Sequence, residues 1–166
     1  MSAYRTHLAD EAATRALAAR LARYLAPGMV VYLRGDLGAG KTTLVRGVLA
    51  ELGFDGKVKS PTYTLVELYN LSRLCLYHFD FYRLAHPEEW IDAGFREYFG
   101  QECACFVEWP ERAGSSLPPA DIEIHLGHAV SGRTVELHAN SDKGQQCLAQ
   151  FLSNLPDRIP RPDAMR

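Results

Sequence analysis

A glycine-rich segment between two apolar stretches constrains this chain more than any other feature. Residues 35–42 read GDLGAGKT and match the pattern GxxxxGK[ST] at each fixed position. The segment follows the continuous apolar run Met29–Leu33 and precedes a helical pattern over Thr42–Leu52. In this order of strand, loop and helix, the loop wraps its backbone amides around phosphate groups. The sequence therefore predicts a phosphate-binding loop, and a glycine-rich turn with a chance lysine is the alternative.

Each polar side chain of this loop has an expected role toward a nucleoside triphosphate. Lys41 is expected to reach the β- and γ-phosphates, Thr42 to ligate Mg²⁺, and Thr43 to bond the α-phosphate. Because Lys41 lies on a loop, we expect it to be exposed and its replacement by alanine not to unfold the domain. The predicted nucleotide contacts from this segment are Asp36, Leu37, Gly38, Ala39, Gly40, Lys41, Thr42 and Thr43.

Two carboxylates follow apolar runs and are candidates for the reaction that such a loop supports. Asp80 follows Leu74–Phe79, and Glu108 follows Cys103–Val107. Strands of an open α/β sheet bring ligands to their carboxyl ends, where an acid can hold Mg²⁺ or orient water. We assign Glu108 to Mg²⁺, and Asp80 and Lys41 to catalysis. In this assignment Asp80 positions water or contacts a ligand of the metal. The opposite assignment of the two acids remains open, as does an unused surface carboxylate at either position.

Three further features near these blocks each allow two interpretations. Ser60 and Thr62, in the string SPTYT, are either switch-like residues that sense the γ-phosphate or part of a Ser-Pro turn before a strand. His78, two residues before Asp80, is more often a packed core residue than a ligand. Trp109, directly after Glu108, either gates the nucleotide or packs.

The remaining periodicity predicts one α/β domain over residues 1–155, with a mixed parallel and antiparallel sheet flanked by helices. A proline-rich tail, residues 156–166, is predicted to be mobile. The predicted strands are Met29–Leu33, Thr64–Tyr69, Leu74–Phe79, Cys103–Val107, Ile122–Leu126 and Thr134–His138. The predicted helices are 10–26, Thr42–Leu52, short helices within Pro87–Phe99 broken at Gly94, and Ser141–Leu155.

Bulk properties exclude some classes of protein. The formal net charge of -2 lacks the basic excess of nucleic-acid-binding domains, so any contact with tRNA is expected to be indirect or weak. Neither a secretory leader nor a bilayer-spanning stretch is visible, so a cytoplasmic location without membrane is expected. The four cysteines are expected to be reduced, buried thiols. No guanine-reading NKxD string occurs, which leaves adenine as the default base.

Four blocks together resemble the bacterial TsaE (YjeE) family. They are GDLGAGKTT at 35–43, SPTYTLV at 60–66, HFDFYRL at 78–84 and VEWPE at 107–111. Their order and spacing match over roughly residues 8–140. The resemblance implies a single α/β domain and an ATPase needed for threonylcarbamoyl modification of adenosine 37 in tRNAs that read ANN codons. It also implies action on the TsaB–TsaD pair, in which TsaD transfers the threonylcarbamoyl group.

The resemblance also implies site residues. It implies ATP or ADP with Mg²⁺ as cofactors, with Lys41 and Thr42 at the phosphates and Glu108 at the metal. Asp80 and Trp109 match functional positions, and Ser60 and Thr62 match the switch-like segment, which favours the switch interpretation. Further nucleotide contacts are implied near Asp10–Thr14, at Glu11, and in the late hairpin loop at Gly132 and Arg133.

Two other functions remain as alternatives. A small-molecule kinase with the same loop needs a lid carrying several arginines, whereas Arg83, Arg96 and Arg112 are scattered along the chain. A nucleotide-gated interaction module would bind without catalysis. We expect slow hydrolysis by the chain alone, because no arginine finger is evident in cis.

Overall fold

One mixed sheet organises residues 3–156, the part of the chain that this computed structural model describes. Within those residues the strands are β1 Ala3–Leu8, β2 Val30–Arg34, β3 Val66–Asn70, β4 Cys75–Asp80, β5 Cys103–Glu108, β6 Ile122–His128 and β7 Arg133–Ala139. The helices are α1 Glu11–Ala22, α2 Lys41–Glu51, α3 Glu89–Asp92 and α4 Asp142–Ser153, with 3-10 helices at Phe95–Tyr98 and Pro110–Ser116.

The strand order is β1-β7-β6-β2-β5-β4-β3. The four central strands, β6, β2, β5 and β4, run parallel, while β1, β7 and β3 join in antiparallel pairs. The predicted α/β domain with a mixed sheet is therefore confirmed. Because β2, β5 and β4 are parallel neighbours, their carboxyl ends meet at one edge of the sheet, where the phosphate loop begins.

The alternation of side chains along β2 divides the core into two layers. Val31 and Leu33 pack with helices α1, α2 and α4 on one face. Val30 and Tyr32 face the other way, into a second layer that includes Trp90 of α3. Burial on both faces explains why β2 is a continuous apolar run.

The predicted helix starts agree with the observed caps. Asp10 caps α1, and its carboxylate accepts a hydrogen bond of 2.8 Å from the amide of Ala13. Ser141 caps α4, and its hydroxyl accepts one of 3.0 Å from the amide of Gly144. The helix predicted over 10–26 is four residues shorter at its end, since α1 ends at Ala22.

Strand β1 is absent from the elements predicted by periodicity. It pairs antiparallel with β7 from Ala3 opposite His138 to Leu8 opposite Arg133. Only Tyr4 and Leu8 of this strand are buried, so its sequence shows a short, mostly polar pattern. An edge strand of this kind depends on pairing with a distant segment, which local periodicity does not reveal.

The expectation of four reduced, buried thiols is wrong for two of the cysteines. Cys75 and Cys103 form a disulfide with their Cα atoms 4.7 Å apart. They are register partners on the neighbouring parallel strands β4 and β5, which brings their side chains together. Cys105 and Cys147 are free and buried, and burial raises the pKa of each thiol to about 12.

Two further expectations concern the proline-rich tail and membrane-spanning segments. The predicted tail begins at Pro156, and its residues 157–166 lie outside the described residues. Within the described part of the chain, no helix combines the length and hydrophobicity needed to cross a bilayer.

Candidate functional site

The predicted phosphate loop, residues 35–42, connects the end of β2 to the start of α2. Gly40 caps the helix with φ 107°, a left-handed conformation that a glycine adopts without a Cβ clash. It offers no side chain to the first amides of α2. Free amides at a helix N-terminus, together with the positive end of the helix dipole, are able to hold an anion.

Lys41 is the first residue of α2, and its side chain is buried rather than exposed, contrary to the sequence expectation. Only 5% of Lys41 is exposed. Its ammonium donates to the carbonyl oxygens of Gly35 and, at 2.9 Å, of Asp36. Burial lowers the pKa of Lys41, although the nearby carboxylates of Glu108 and Asp80 oppose that shift. The loop therefore folds around its own lysine.

The two predicted acids lie side by side. Asp80 ends β4 and Glu108 ends β5, and they are register partners. Both are nearly fully buried, with 6% and 3% exposed. The hydroxyl of Thr42 donates to the Glu108 carboxylate, at 3.2 Å from one oxygen and 3.1 Å from the other. The structure thus brings Thr42, Glu108 and Asp80 together at the predicted edge of the sheet.

Asp80 is held by two neighbours. The amide of Tyr82 donates to one carboxylate oxygen at 3.0 Å, and the hydroxyl of Thr62 donates to the other at 3.3 Å. Burial raises the pKa of Asp80, and the charge of Glu108 raises it further, while these hydrogen bonds oppose the shift. Asp80 is therefore more basic than an ordinary aspartate and faces the cleft.

These oxygen atoms fit Mg²⁺ as part of a nucleotide complex. Across residues 3–156, no three His, Cys, Asp or Glu side chains are grouped so that they alone hold a metal. Mg²⁺ sites of this class use one or two carboxylates together with phosphate oxygens, and a hydroxyl such as that of Thr42 completes the set.

The segment with the predicted switch residues contacts the acids directly. The hydroxyls of Ser60 and Thr62 are 2.7 Å apart, and Thr62 also bonds Asp80. Leu65, at the end of this segment, has φ 68°, and its carbonyl accepts from the Asp80 amide at 3.0 Å. A turn and a link to Asp80 therefore coexist in one segment. The positive φ of a non-glycine residue is a strained conformation of a kind that clusters at functional sites.

Trp109 covers the lysine. Its backbone is also left-handed, with φ 56°, directly after Glu108. The Lys41 ammonium lies 4.2 Å from the centre of the indole ring, which is within the range of a cation–π contact. The ring centroids of Tyr82 and Trp109 are 5.0 Å apart, and both residues line the same cleft. Leu37 at the loop tip is 62% exposed beside them.

The loop has a cleft on each side. The first cleft has a volume of about 390 Å³ and contains the groups described above. Its lining residues are Leu37, Gly38, Gly40, Lys41, Thr42, Thr43, Ser60, Thr62, Asp80, Tyr82, Arg83, Glu108 and Trp109. The second, about 410 Å³, is lined by Ala9, Asp10, Glu11, Thr14, Gly38, Ala39, Gly40, Thr43, Gly132 and Arg133. Glu11, Gly132 and Arg133 thus reach the same loop from distant parts of the chain, and Arg133 donates to the carbonyl of Gly38 at 3.1 Å.

Replacing Gly132 with alanine is expected to lower stability by about 2 kcal/mol or more, a Tm loss of at least about 4 °C. A Cβ at this position would lie 2.1 Å from the carbonyl oxygen of Leu8, and φ is +70°. Thermal denaturation measures the effect. Gly94→Ala is the matched control, because Gly94 has a similar φ of +82° and open space around it. Equal losses in the two variants would show that close packing at Gly132 is unimportant.

Comparisons with known proteins find relatives over most of the chain. The family model described as "Threonylcarbamoyl adenosine biosynthesis protein TsaE" matches residues 8–135. The chain is 49% identical over 123 residues to the tRNA threonylcarbamoyladenosine biosynthesis protein TsaE of Haemophilus influenzae, which covers 74% of this chain and 78% of that protein. It is 41% identical over 116 residues to the protein of the same name from Bacillus subtilis. That match covers 70% of this chain and 72% of the Bacillus subtilis protein.

A solved structure has the same architecture. The crystal structure of Bacillus subtilis YdiB superposes with a TM-score of 0.78 at 29% identity, covering 90% of this chain and 94% of that one. The family match includes the phosphate loop, both acids and the hairpin residues Gly132 and Arg133. The chain therefore belongs to the TsaE family of threonylcarbamoyl adenosine biosynthesis proteins.

Proposed function

We propose that this chain binds a nucleoside triphosphate with Mg²⁺ over the phosphate loop and hydrolyses it. One observation supports this above the others. The Thr42 hydroxyl, at the start of the loop helix, lies within 3.2 Å of both carboxylate oxygens of Glu108 at the end of a neighbouring strand. A hydroxyl and a strand-end carboxylate in this relation form the Mg²⁺ side of a phosphate-loop hydrolase.

The proposed roles follow from position. Thr42 and Glu108 would hold Mg²⁺, and its charge would neutralise the phosphate oxygens. Lys41 leaves its backbone carbonyl partners for the β- and γ-phosphates, and Trp109 covers its ammonium. Asp80 orients the attacking water and accepts its proton, because its oxygens line the cleft next to Thr42 and Glu108. An exchange of the roles of Asp80 and Glu108 is the alternative, and the contact of Thr42 with Glu108 favours the assignment given.

The second cleft is proposed to hold the nucleoside of ATP or ADP. It opens beside Thr43, which lines both clefts and bonds the α-phosphate in this proposal. Glu11, Gly132 and Arg133 would then surround the ribose and base. Adenine is proposed because the sequence lacks the guanine-reading NKxD string.

We propose that the chain acts in tRNA threonylcarbamoyladenosine biosynthesis, the process that its relatives are named for. In that role the chain is the ATPase required for modification of adenosine 37 in tRNAs that read ANN codons. It acts on the TsaB–TsaD pair and does not handle the threonylcarbamoyl group itself. The net charge of -2 supports recruitment through protein partners rather than through direct binding of tRNA.

The test measures phosphate release from Mg·ATP by the chain alone and with the TsaB–TsaD pair. We expect slow turnover alone and an increase of about tenfold or more with the pair, because no arginine finger in cis is evident from the sequence. Modification of tRNA should stop when a non-hydrolysable ATP analogue replaces ATP. Faster phosphoryl transfer to a metabolite than to water would indicate a kinase, and binding without turnover would indicate an interaction module.

A further inference from the structure

His78 lies behind the proposed metal ligand. It is on β4, two residues before Asp80, and is completely buried. Its Nε2 atom lies 2.6 Å from a carboxylate oxygen of Glu108. Thr42 bonds the same carboxylate. The Glu108 carboxylate therefore lies between the buried imidazole of His78 on β4 and the hydroxyl of Thr42 at the start of α2.

The direction of the imidazole contact follows from hydrogen-bond chemistry. An ionised carboxylate only accepts, so Nε2 of His78 carries the proton and donates. The other ring nitrogen, Nδ1, is buried with no hydrogen-bond partner among the described residues. A proton on Nδ1 would be a buried donor without an acceptor, which is costly. His78 therefore uses a single ring nitrogen, and that nitrogen is aimed at Glu108.

If position 78 only filled space in the core, an apolar side chain would be expected there. The register partner of His78 on β5 is Phe106, a fully buried aromatic residue, and an apolar side chain would pack beside it without burying an unpartnered nitrogen. The unpartnered Nδ1 makes imidazole a costly choice for filling space. The contact that an apolar residue cannot make is the one to Glu108.

We propose that His78 is a positioning residue that holds the Glu108 carboxylate in the orientation in which Glu108 and Thr42 bind Mg²⁺ with the nucleotide. The inference rests on the proposed function of this cleft. Partners behind a metal ligand fix its orientation, and their loss typically costs about 10- to 100-fold in metal affinity. His78 does not touch the nucleotide in this proposal.

The test compares ADP binding in Mg²⁺ and in EDTA by calorimetry, using the full chain without partners. The gain in ADP affinity from Mg²⁺ is the readout. We expect His78→Leu to reduce that gain about 10- to 100-fold, with binding in EDTA unchanged. His78→Gln should retain most of the gain, because its amide can donate from nearly the position of Nε2. His78→Asn is too short to reach Glu108 and should resemble the leucine variant, which keeps the test informative if leucine prevents folding.

Two further measurements separate positioning from packing. In a Glu108→Ala background, His78→Leu should have no additional effect on the Mg²⁺ gain, because its target is gone. The exposed His86→Leu is the matched control and should leave binding unchanged. Equal weakening of ADP binding with and without Mg²⁺, or a glutamine variant as defective as leucine, would overturn the role of His78. If the wild-type chain shows no Mg²⁺ gain, the proposed function itself is wrong.

Discussion

Replacing Lys41 with alanine is expected to weaken Mg·ATP binding by at least about 100-fold, or about 2.7 kcal/mol. Hydrogen bonds to charged groups contribute about 1.5–3 kcal/mol each, and a lysine ammonium supplies several donors to phosphate oxygens. Lys41 is at the start of α2 with its ammonium among the groups of the first cleft. Calorimetric titration with ATP and Mg²⁺ measures the loss.

The same variant is expected to fold normally, for a reason that the structure supplies. The ammonium is buried in the free protein, and burial lowers its pKa, so its charged form is disfavoured there by desolvation. Alanine removes that cost together with the bonds to Gly35 and Asp36, so we expect little change in Tm. Lys143→Ala, on the exposed start of α4, is the matched control. Unchanged ATP affinity in Lys41→Ala would mean that the loop does not bind phosphate.

Local sequence is sufficient to predict the elements that position the cleft. The continuous apolar run of β2 is typical of a strand covered on both faces, and the structure buries it on both. The spacing of GDLGAGKT requires a turn into a helix, and α2 begins at Lys41. Asp80 and Glu108 each follow an apolar run, and the parallel order of β4 and β5 brings them to one edge.

Other features depend on pairing or packing between distant segments. The disulfide of Cys75 with Cys103 requires knowledge of the register between β4 and β5, which no local pattern gives. The orientation of His78 toward Glu108 depends on the same register. The burial of Lys41 depends on the loop carbonyls of Gly35 and Asp36 and on Trp109, whose indole lies over the ammonium. The apolar patterns of the separate strands do not show the disulfide, the contact of His78 with Glu108 or the burial of Lys41.

Edge strand β1 has a further consequence for the site. Its pairing with β7 brings the end of β1, at Leu8, against the hairpin loop at Gly132. The segment that follows leads into Asp10 and Glu11 of the second cleft. The segments of Glu11 and Gly132 lie far apart in the sequence, and it is the pairing of β1 with β7 that joins them at one cleft.

Replacing Asp80 with asparagine is expected to reduce hydrolysis of Mg·ATP by about 100-fold or more while raising the stability of the free domain. A positioned general base typically contributes about 10²- to 10⁴-fold to rate. Asparagine retains an oxygen that can accept from the Tyr82 amide but cannot accept a proton from water. Phosphate release with the TsaB–TsaD pair present measures the loss, and Asp92→Asn, an exposed aspartate on α3, is the control.

The stability gain follows from the sign of the pKa shift. Burial raises the pKa of Asp80 above the ordinary value of 3.8, so between the two values the folded state binds more protons than the unfolded state. Stability contributed by Asp80 therefore falls as pH rises through that window, and above it the buried charge is a cost. Asparagine removes this cost at neutral pH, where a gain of about 1 kcal/mol would raise Tm by about 2–4 °C.

The gain should shrink as pH falls toward 3.8, because Asp80 of the folded wild type becomes protonated in this range and its buried charge is lost. Thermal denaturation of wild type and Asp80→Asn across that range, without nucleotide, measures it. A pH-independent difference in Tm would attribute the effect to altered hydrogen bonding with Thr62 rather than to charge. Unchanged partner-stimulated hydrolysis in the same variant would remove Asp80 from catalysis and leave Glu108 as the acid that serves both the metal and the water.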